Sequence, residues 1–297
     1  MTMQPEQGIG RELGLGEVIS KTFEVYRRDF VKYFVLFAIV GVIVQVATTL
    51  AMQAFPRPAP LPLNPTPQQF SNYLSALFEA LFVLLAVIFV VNIIFSTIAE
   101  GSAIKLASEQ ITKGQVDFGA SIRLVASKLL SIWALSIVVG VIVFLGFIAL
   151  IVPGIILAIM FSLALPVLLI ENKGVMESMG RSRELVRNRW LKTFATFLVL
   201  GIILLVASFI VNVISGSLGI LGPVVNGILS ALYQPLFPIL MAVYYYSNLA
   251  RISQPPPGQM PMGPPAAIPA GMKLCPTCGT QNVSSATFCT KCGARLN

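Results

Sequence analysis

Two stretches of this chain carry no Asp, Glu, Lys or Arg at all: 42 residues from 129 to 170 and 58 residues from 193 to 250. Each is punctuated near its middle by Gly and Pro, at Pro153-Gly154 in the first and across 219–223 in the second. A hydrocarbon layer takes about 20 apolar residues per helical crossing. Each stretch is therefore long enough for two crossings joined by a tight turn. With two further apolar runs nearer the N-terminus, six membrane helices are predicted, over residues 33–55, 74–98, 129–150, 154–170, 193–214 and 224–249. A Pro-rich loop, 56–67, joins the first two. The fourth helix is short and interrupted by Pro166. Pro235 and Pro238 are expected to bend the sixth, because proline removes a helix hydrogen bond and its ring presses on the preceding turn.

Ahead of spans one, three and five the pattern changes to amphipathic. In 15–30, Leu15, Val18, Ile19, Phe23, Tyr26 and Phe30 recur at helical spacing among Glu17, Lys21, Glu24 and Arg28. In 174–190, Val175, Met179, Val186 and Trp190 do the same among Arg181, Arg183, Glu184 and Arg187, and 118–128 is a weaker copy. Each segment reads as a helix lying at the membrane interface before its hairpin. The plainer alternative is that any helix meeting a membrane at a basic face looks this way. Three units of one interfacial helix plus one hairpin would share one orientation. The inverted repeats of many secondary transporters instead need an odd number of spans per unit.

The predicted fold is thus an all-α integral membrane protein, with six transmembrane helices in three hairpins, interfacial amphipathic helices and, on the four tail cysteines Cys275, Cys278, Cys289 and Cys292 with their paired metal-ligand spacing, a small C-terminal zinc ribbon. The domain boundaries expected are an N-terminal tail at 1–13, the membrane domain at 14–252, a Pro-rich linker at 253–271 and the ribbon at 272–297.

Composition agrees with the pattern. Charged residues are 11% of the chain, against about 25% in soluble domains. Histidine is absent, which removes the commonest general base and metal ligand. The first 32 residues carry ten charges and no apolar core, so they are not expected to be a secretory signal. The net charge of +8 has a topological reading. If the chain crosses six times, nineteen of the 20 Lys and Arg fall on one side and only Arg57 on the other. Basic residues mark the cytoplasmic face, so a cell-membrane protein with both termini cytoplasmic is expected. Tyr33, Trp133, Trp190 and Tyr244-Tyr245-Tyr246 fall at that same end, where an aromatic belt is expected.

All four cysteines lie in the tail, as Cys275-Pro-Thr-Cys278 and Cys289-Thr-Lys-Cys292, each pair followed by Gly (Gly279, Gly293). A Cys-x-x-Cys turn sets two thiolates about 3.8 Å apart, the edge of a tetrahedron with Zn–S bonds of about 2.3 Å. Glycine after each pair permits the positive φ that such a knuckle needs. The piece is too small to fold by burial, so metal binding supplies its folding energy. A pair of disulfides or a redox dithiol is the alternative, and the cytoplasmic placement and doubled pattern speak against it. One structural Zn²⁺ on Cys275, Cys278, Cys289 and Cys292 is expected, with no position open to substrate.

The segment 152–194, VPGIILAIMFSLALPVLLIENKGVMESMGRSRELVRNRWLKTF, resembles the membrane domain family also found fused to glycerophosphodiester phosphodiesterases. The likeness is carried by Pro153-Gly154 opening a short helix, Pro166 and Glu171 near its end, a Ser/Arg-rich amphipathic helix over 178–189, and the aromatic-basic run 190–194. The opening LGEVISKTFEVYRRDF, 15–30, is similar to that family's start. The resemblance implies a membrane module without the phosphodiesterase activity, since nothing in the chain answers to the catalytic barrel. The tail resembles the short zinc ribbons appended to many prokaryotic membrane proteins.

For function, an enzyme is not expected. Glu79 is the sole charged residue within the predicted spans, near the outer end of the second, where hydration accounts for it as well as a functional role does. Gln45, Asn92, Asn212 and Gln234 could line a solute path, or hold helices together by hydrogen bonds. A transporter or channel for a small solute or lipid is therefore the second reading. The first is a non-enzymatic scaffold in the lipid bilayer. There the basic segment 173–192 meets anionic headgroups, and the linker presents the ribbon to a cytoplasmic protein partner. The few ribbon charges, Lys273, Lys291 and Arg295, are too few to imply nucleic acid.

Overall fold

The computed structural model describes residues 9–55, 60–253, 272–275 and 279–296. It divides into two compact units, Met1–Ile252 and Ser253–Asn297. The predicted linker 253–271 lies outside the described residues, save that Ser253 closes the last helix of the first unit. Arg57 and Cys278 also fall outside them.

The first unit is all helix. It opens with α1 (Leu15–Arg28), whose Glu17 carboxylate accepts the Gly14 N–H at 2.7 Å, and passes through Asp29 alone into α2 (Phe30–Gln53). Helix α3 (Pro67–Lys113) begins at a reciprocal cap between Thr66 and Gln69, with proline in its first turn, and ends at Gly114 with φ of 67°. Next come α4 (Phe118–Ser127), α5 (Leu129–Ala149), α6 (Ile151–Met160) and α7 (Ala164–Ile170). The unit is completed by α8 (Val175–Val186), α9 (Trp190–Gly216), α10 (Gly222–Ser230) and α11 (Leu236–Ser253).

Among the described residues, five helical segments are long and apolar enough to cross a membrane: Phe30–Gln53, Pro67–Lys113, Leu129–Ala149, Ile151–Ile170 and Trp190–Gly216. Their outward faces expose Phe82, Phe89, Phe144, Leu205 and Phe209, a surface suited to lipid and not to water. The chain is a multi-pass membrane protein. The sixth predicted helix is not one helix. It is α10 and α11, separated by a turn over 231–235. The prolines explain the break: Pro235 has no N–H for the Ala231 carbonyl and Pro238 none for that of Gln234. Two prolines three apart interrupt the helix, where one would only bend it.

The segment Ile151–Ile170 is broken too, at Phe161–Leu163, and Pro166 has no N–H for the carbonyl of Ser162 inside that break. Pro166 thus falls in the first turn of the helix that resumes, α7, as Pro238 does in α11. Side chains from the amphipathic helices serve both breaks. At 161–163, Ser182 of α8 donates to the Met160 carbonyl at 2.8 Å and accepts the Leu163 N–H at 3.1 Å. At 231–235, Tyr26 of α1 donates to the Leu232 carbonyl at 2.9 Å.

The short helices α1, α4 and α8 each precede a long one, as the sequence pattern predicts. A single residue, Asp29 or Lys128, makes the first two junctions, and 187–189 the third. Helix α3 departs furthest from expectation. It runs 47 residues, about 70 Å at 1.5 Å per residue, well past the predicted end at 98. Lys105 and Lys113 lie on this helix and not in a connection. Its final part, from Ala99 to Ile111, is the most buried stretch of the unit. The dense core accordingly sits at the basic end of the bundle.

The aromatic belt needs correcting. Tyr33, Tyr244 and Tyr245 are buried inside the protein, at 2% exposure or less, and Trp190 faces out. Their hydroxyls have protein partners: Tyr33 with Gln110, Tyr244 with Thr193, Tyr245 with Glu171 and Tyr246 with Ser108. Tyrosine at a helix end can face headgroups or a polar core, and only the packing decides which.

Midway along its length α2 crosses α10, at Gly41 and Gly227. A Cβ on Gly41 would lie 2.6 Å from the Gly227 carbonyl oxygen, so the backbones touch. Close crossings of small residues are how membrane helices gain packing where lipid removes the hydrophobic drive.

Candidate metal centre and intramembrane polar sites

The second unit is a ribbon. Strand β1 (Met272–Leu274) pairs antiparallel with β2 (Gln281–Val283), Lys273 opposite Asn282. Beyond β2 the chain returns in a second turn, bridging Phe288 to Arg295. The same pair of backbone hydrogen bonds recurs in each half of the ribbon. Gly279 N–H bonds the Cys275 carbonyl at 2.9 Å, and Gly293 N–H that of Cys289 at 3.0 Å. The N–H of Cys275 bonds Thr280 and that of Cys289 bonds Ala294. Gly279 and Gly293 take φ of 69° and 71°, the left-handed values the sequence asked of them.

These turns bring the Sγ atoms of Cys275, Cys289 and Cys292 within 4.8 Å of one another, Cys275 and Cys292 at 3.6 Å. That is close to the tetrahedral edge of about 3.8 Å for zinc thiolates. The donor set fits a metal, and its soft sulfurs favour zinc. Sequence reasoning missed Asn282. Buried, it accepts the Thr290 N–H and hydroxyl through Oδ1 at 2.9 and 3.0 Å, and donates through Nδ2 to the Thr280 carbonyl at 2.8 Å and to Cys289 Sγ at 3.6 Å. It ties the two halves of the ribbon together and bonds the sulfur of a candidate ligand, Cys289.

In the bundle, the basic segment 173–192 is less free than its charge implies. Glu171 accepts from Lys173 at 2.8 Å, Arg181 at 3.2 Å and Tyr245 at 2.8 Å, and Arg181 also pairs with Glu184. Burial alone would raise the Glu171 pKa; these donors outweigh it and hold the pKa below the usual carboxylate value. Glu12 joins the N-terminal segment to α9 through Arg189 at 2.9 Å and Lys192 at 2.5 Å. Partial burial again opposes ionisation, yet the two cations bring Glu12 down to about 2. Among the described residues, Arg183 and Arg187 have no acidic partner. They line a pocket of about 220 Å³ with Trp190, Met160 and Ile156.

The polar residues proposed for the spans separate into two groups. Asn212 accepts from Asn226 at 3.3 Å, a bond between α9 and α10. Gln45, Asn92 and Gln234 instead share a cavity of about 340 Å³ between α2, α3, α9 and the α10–α11 break. Glu100 lines it as well. Sequence reasoning passed over Glu100 because it sits two residues beyond the predicted end of the second span. Glu79, near the opposite end of α3, is exposed and has no partner among the described residues.

The pattern of the uncharacterised protein family UPF0259 matches residues 71–249, more than half of the chain. The chain belongs to that family. The matched region runs from the start of α3 into α11 and so includes both helix breaks of this UPF0259 member, at Phe161–Leu163 and at 231–235. A zinc-ribbon domain matches residues 274–296. Searches of curated proteins and of solved structures returned no match.

Proposed function

We propose that this UPF0259 protein is a non-enzymatic scaffold of the cell membrane that presents a zinc ribbon to a protein partner in the cytoplasm. The observation that carries the reading is the division of the chain. A lipid-faced bundle and a thiolate-centred ribbon form separate compact units, with a Pro-rich stretch between them in sequence. One structural Zn²⁺, held by Cys275, Cys278, Cys289 and Cys292, closes the ribbon. Four protein thiolates leave the ion no site for substrate, so the ribbon works as a shape for binding.

The bundle side of the reading is anchorage. The excess of Lys and Arg at one end supports a cytoplasmic position for that end and for both termini. Arg183 and Arg187, free of acidic partners among the described residues and beside Trp190, are the groups that meet an anionic headgroup. The run 152–194 supports kinship with the membrane domain fused to glycerophosphodiester phosphodiesterases. The test is affinity capture after crosslinking in mild detergent, with intact protein and with residues 272–297 deleted. Loss of a defined protein partner on deletion supports presentation, and identical recovered sets overturn it.

A second reading, passage of a small solute, is favoured by one observation: the polar cavity at the interrupted sixth crossing. Broken helices at membrane depth are tolerated where they line such a cavity.

A further inference from the structure

The cavity between α2, α3, α9 and the α10–α11 break has a chemistry that names a class of ligand. Glu100 makes no ion pair or hydrogen bond with any described residue. The side-chain amides of Gln45 and Gln234 likewise find no protein partner there. Glu100 and Gln234 are exposed and Gln45 is half-buried, so the cavity is open and its unpaired polar groups meet water or a ligand there. Three aromatic rings, Phe37, Tyr233 and Phe237, line it too, and no Lys or Arg does. From Glu100 to Asn92 it follows α3 for about 12 Å, eight residues at about 1.5 Å each.

We propose that this cavity is a binding site for a small organic cation, an alkyl- or arylammonium compound, anchored by Glu100. The absence of basic groups disfavours an anion. A volume of about 340 Å³ is far more than a bare metal ion fills. A carboxylate supplies the counter-charge, the amides of Gln45 and Gln234 accept ammonium N–H groups, and the ring faces attract the cation. The backbone adds to this: the Gln234 carbonyl, stripped of its helical donor by Pro238, accepts no backbone hydrogen bond among the described residues. This site does not depend on the scaffold reading. It concerns binding alone, so a cation held without being carried would leave the site standing and the transport reading fallen.

The experiment is equilibrium dialysis of radiolabelled phenethylamine, an ammonium ion at pH 7, against the full zinc-loaded chain in lipid nanodiscs, with empty nanodiscs subtracted. Its neutral analogue 2-phenylethanol is measured in parallel. The expected result is saturable binding of the amine, weak binding of the alcohol, and an amine affinity lowered about tenfold or more by Glu100→Gln. Absence of saturable binding, equal binding of amine and alcohol, or equal affinity in Glu100→Gln overturns the proposal. Should that variant fail to assemble by gel filtration, Gln45→Leu leaves the carboxylate in place. It is expected to lower amine affinity about threefold, and unchanged affinity contradicts the assignment. Flux of the same amine into liposomes then decides transport separately.

Discussion

The bundle and the ribbon solve the folding problem in opposite ways. The bundle has a core of more than thirty buried apolar residues, gathered at its basic end around the last third of α3. The ribbon's core is Cys275, Cys289 and Leu296, with Ala286 and Ala294 against them. Burial of that size cannot order a chain, and two of the three buried residues are themselves candidate ligands. The difference teaches where each unit is vulnerable. The bundle fails when backbone fit or an internal ion pair is lost, and the ribbon when its metal is.

The sharpest separation comes from metal removal. A strong chelator, or Cys289→Ser, is expected to unfold the ribbon, with a loss on the order of 10 kcal/mol, while the bundle stays folded. Limited proteolysis reads both at once: the tail should be trimmed and residues 60–253 should survive. Degradation of the bundle under the same treatment would show that the two are not independent.

Next in size is Gly41→Leu. The added side chain meets the Gly227 backbone, and prising α2 from α10 should cost about 3 kcal/mol or more. The bundle's thermal midpoint in detergent should fall, with zinc content measured on the same sample unchanged. Gly201→Leu is the control, because nothing lies within 4 Å of a Cβ there.

Glu171→Gln comes third. It leaves Arg181 and Lys173 without their shared anion and weakens the bond from Tyr245. A cost of about 2 kcal/mol is expected, tempered by the partial exposure of the group. A thermal midpoint equal to wild type would remove Glu171 as the joint between α8 and α11.

Acid gives the smallest effect. Glu12 has a folded pKa of about 2, below its ordinary value of 4.5. Its stabilisation is therefore complete above about pH 4.5 and fades as the pH falls toward 2. With Arg189 well exposed, the loss should be about 1 kcal/mol. Glu12→Gln should flatten this part of the bundle's stability-against-pH curve, and an unchanged curve would assign the loss to other groups.

What the sequence disclosed follows a physical rule. Long charge-free runs, the order of short amphipathic and long apolar helices, and the glycine after each Cys-x-x-Cys depend on local chemistry, and all are found in the fold. What it hid depends on packing between distant parts. The stretch 99–113 mixes Ser, Gly, Ala and Lys, so hydropathy ends the span at 98 while the helix runs on to Lys113. Glu100 was hidden by the same boundary. Asn282 gave no signal, since a lone Asn in a turn-rich tail usually caps a turn. The inward tyrosines were misplaced because a belt and a buried polar core use the same residue at the same height.

The central claim is a bilayer-spanning bundle with its basic end, and with it the ribbon, inside the cell. The chain offers its own reporter, because its only four cysteines lie in the ribbon. Intact cells and gently opened cells can be treated with a membrane-impermeant maleimide after metal chelation, and the protein then isolated and scored for label. The account predicts labelling only once the membrane is breached. Thiol labelling in sealed, intact cells would contradict it outright.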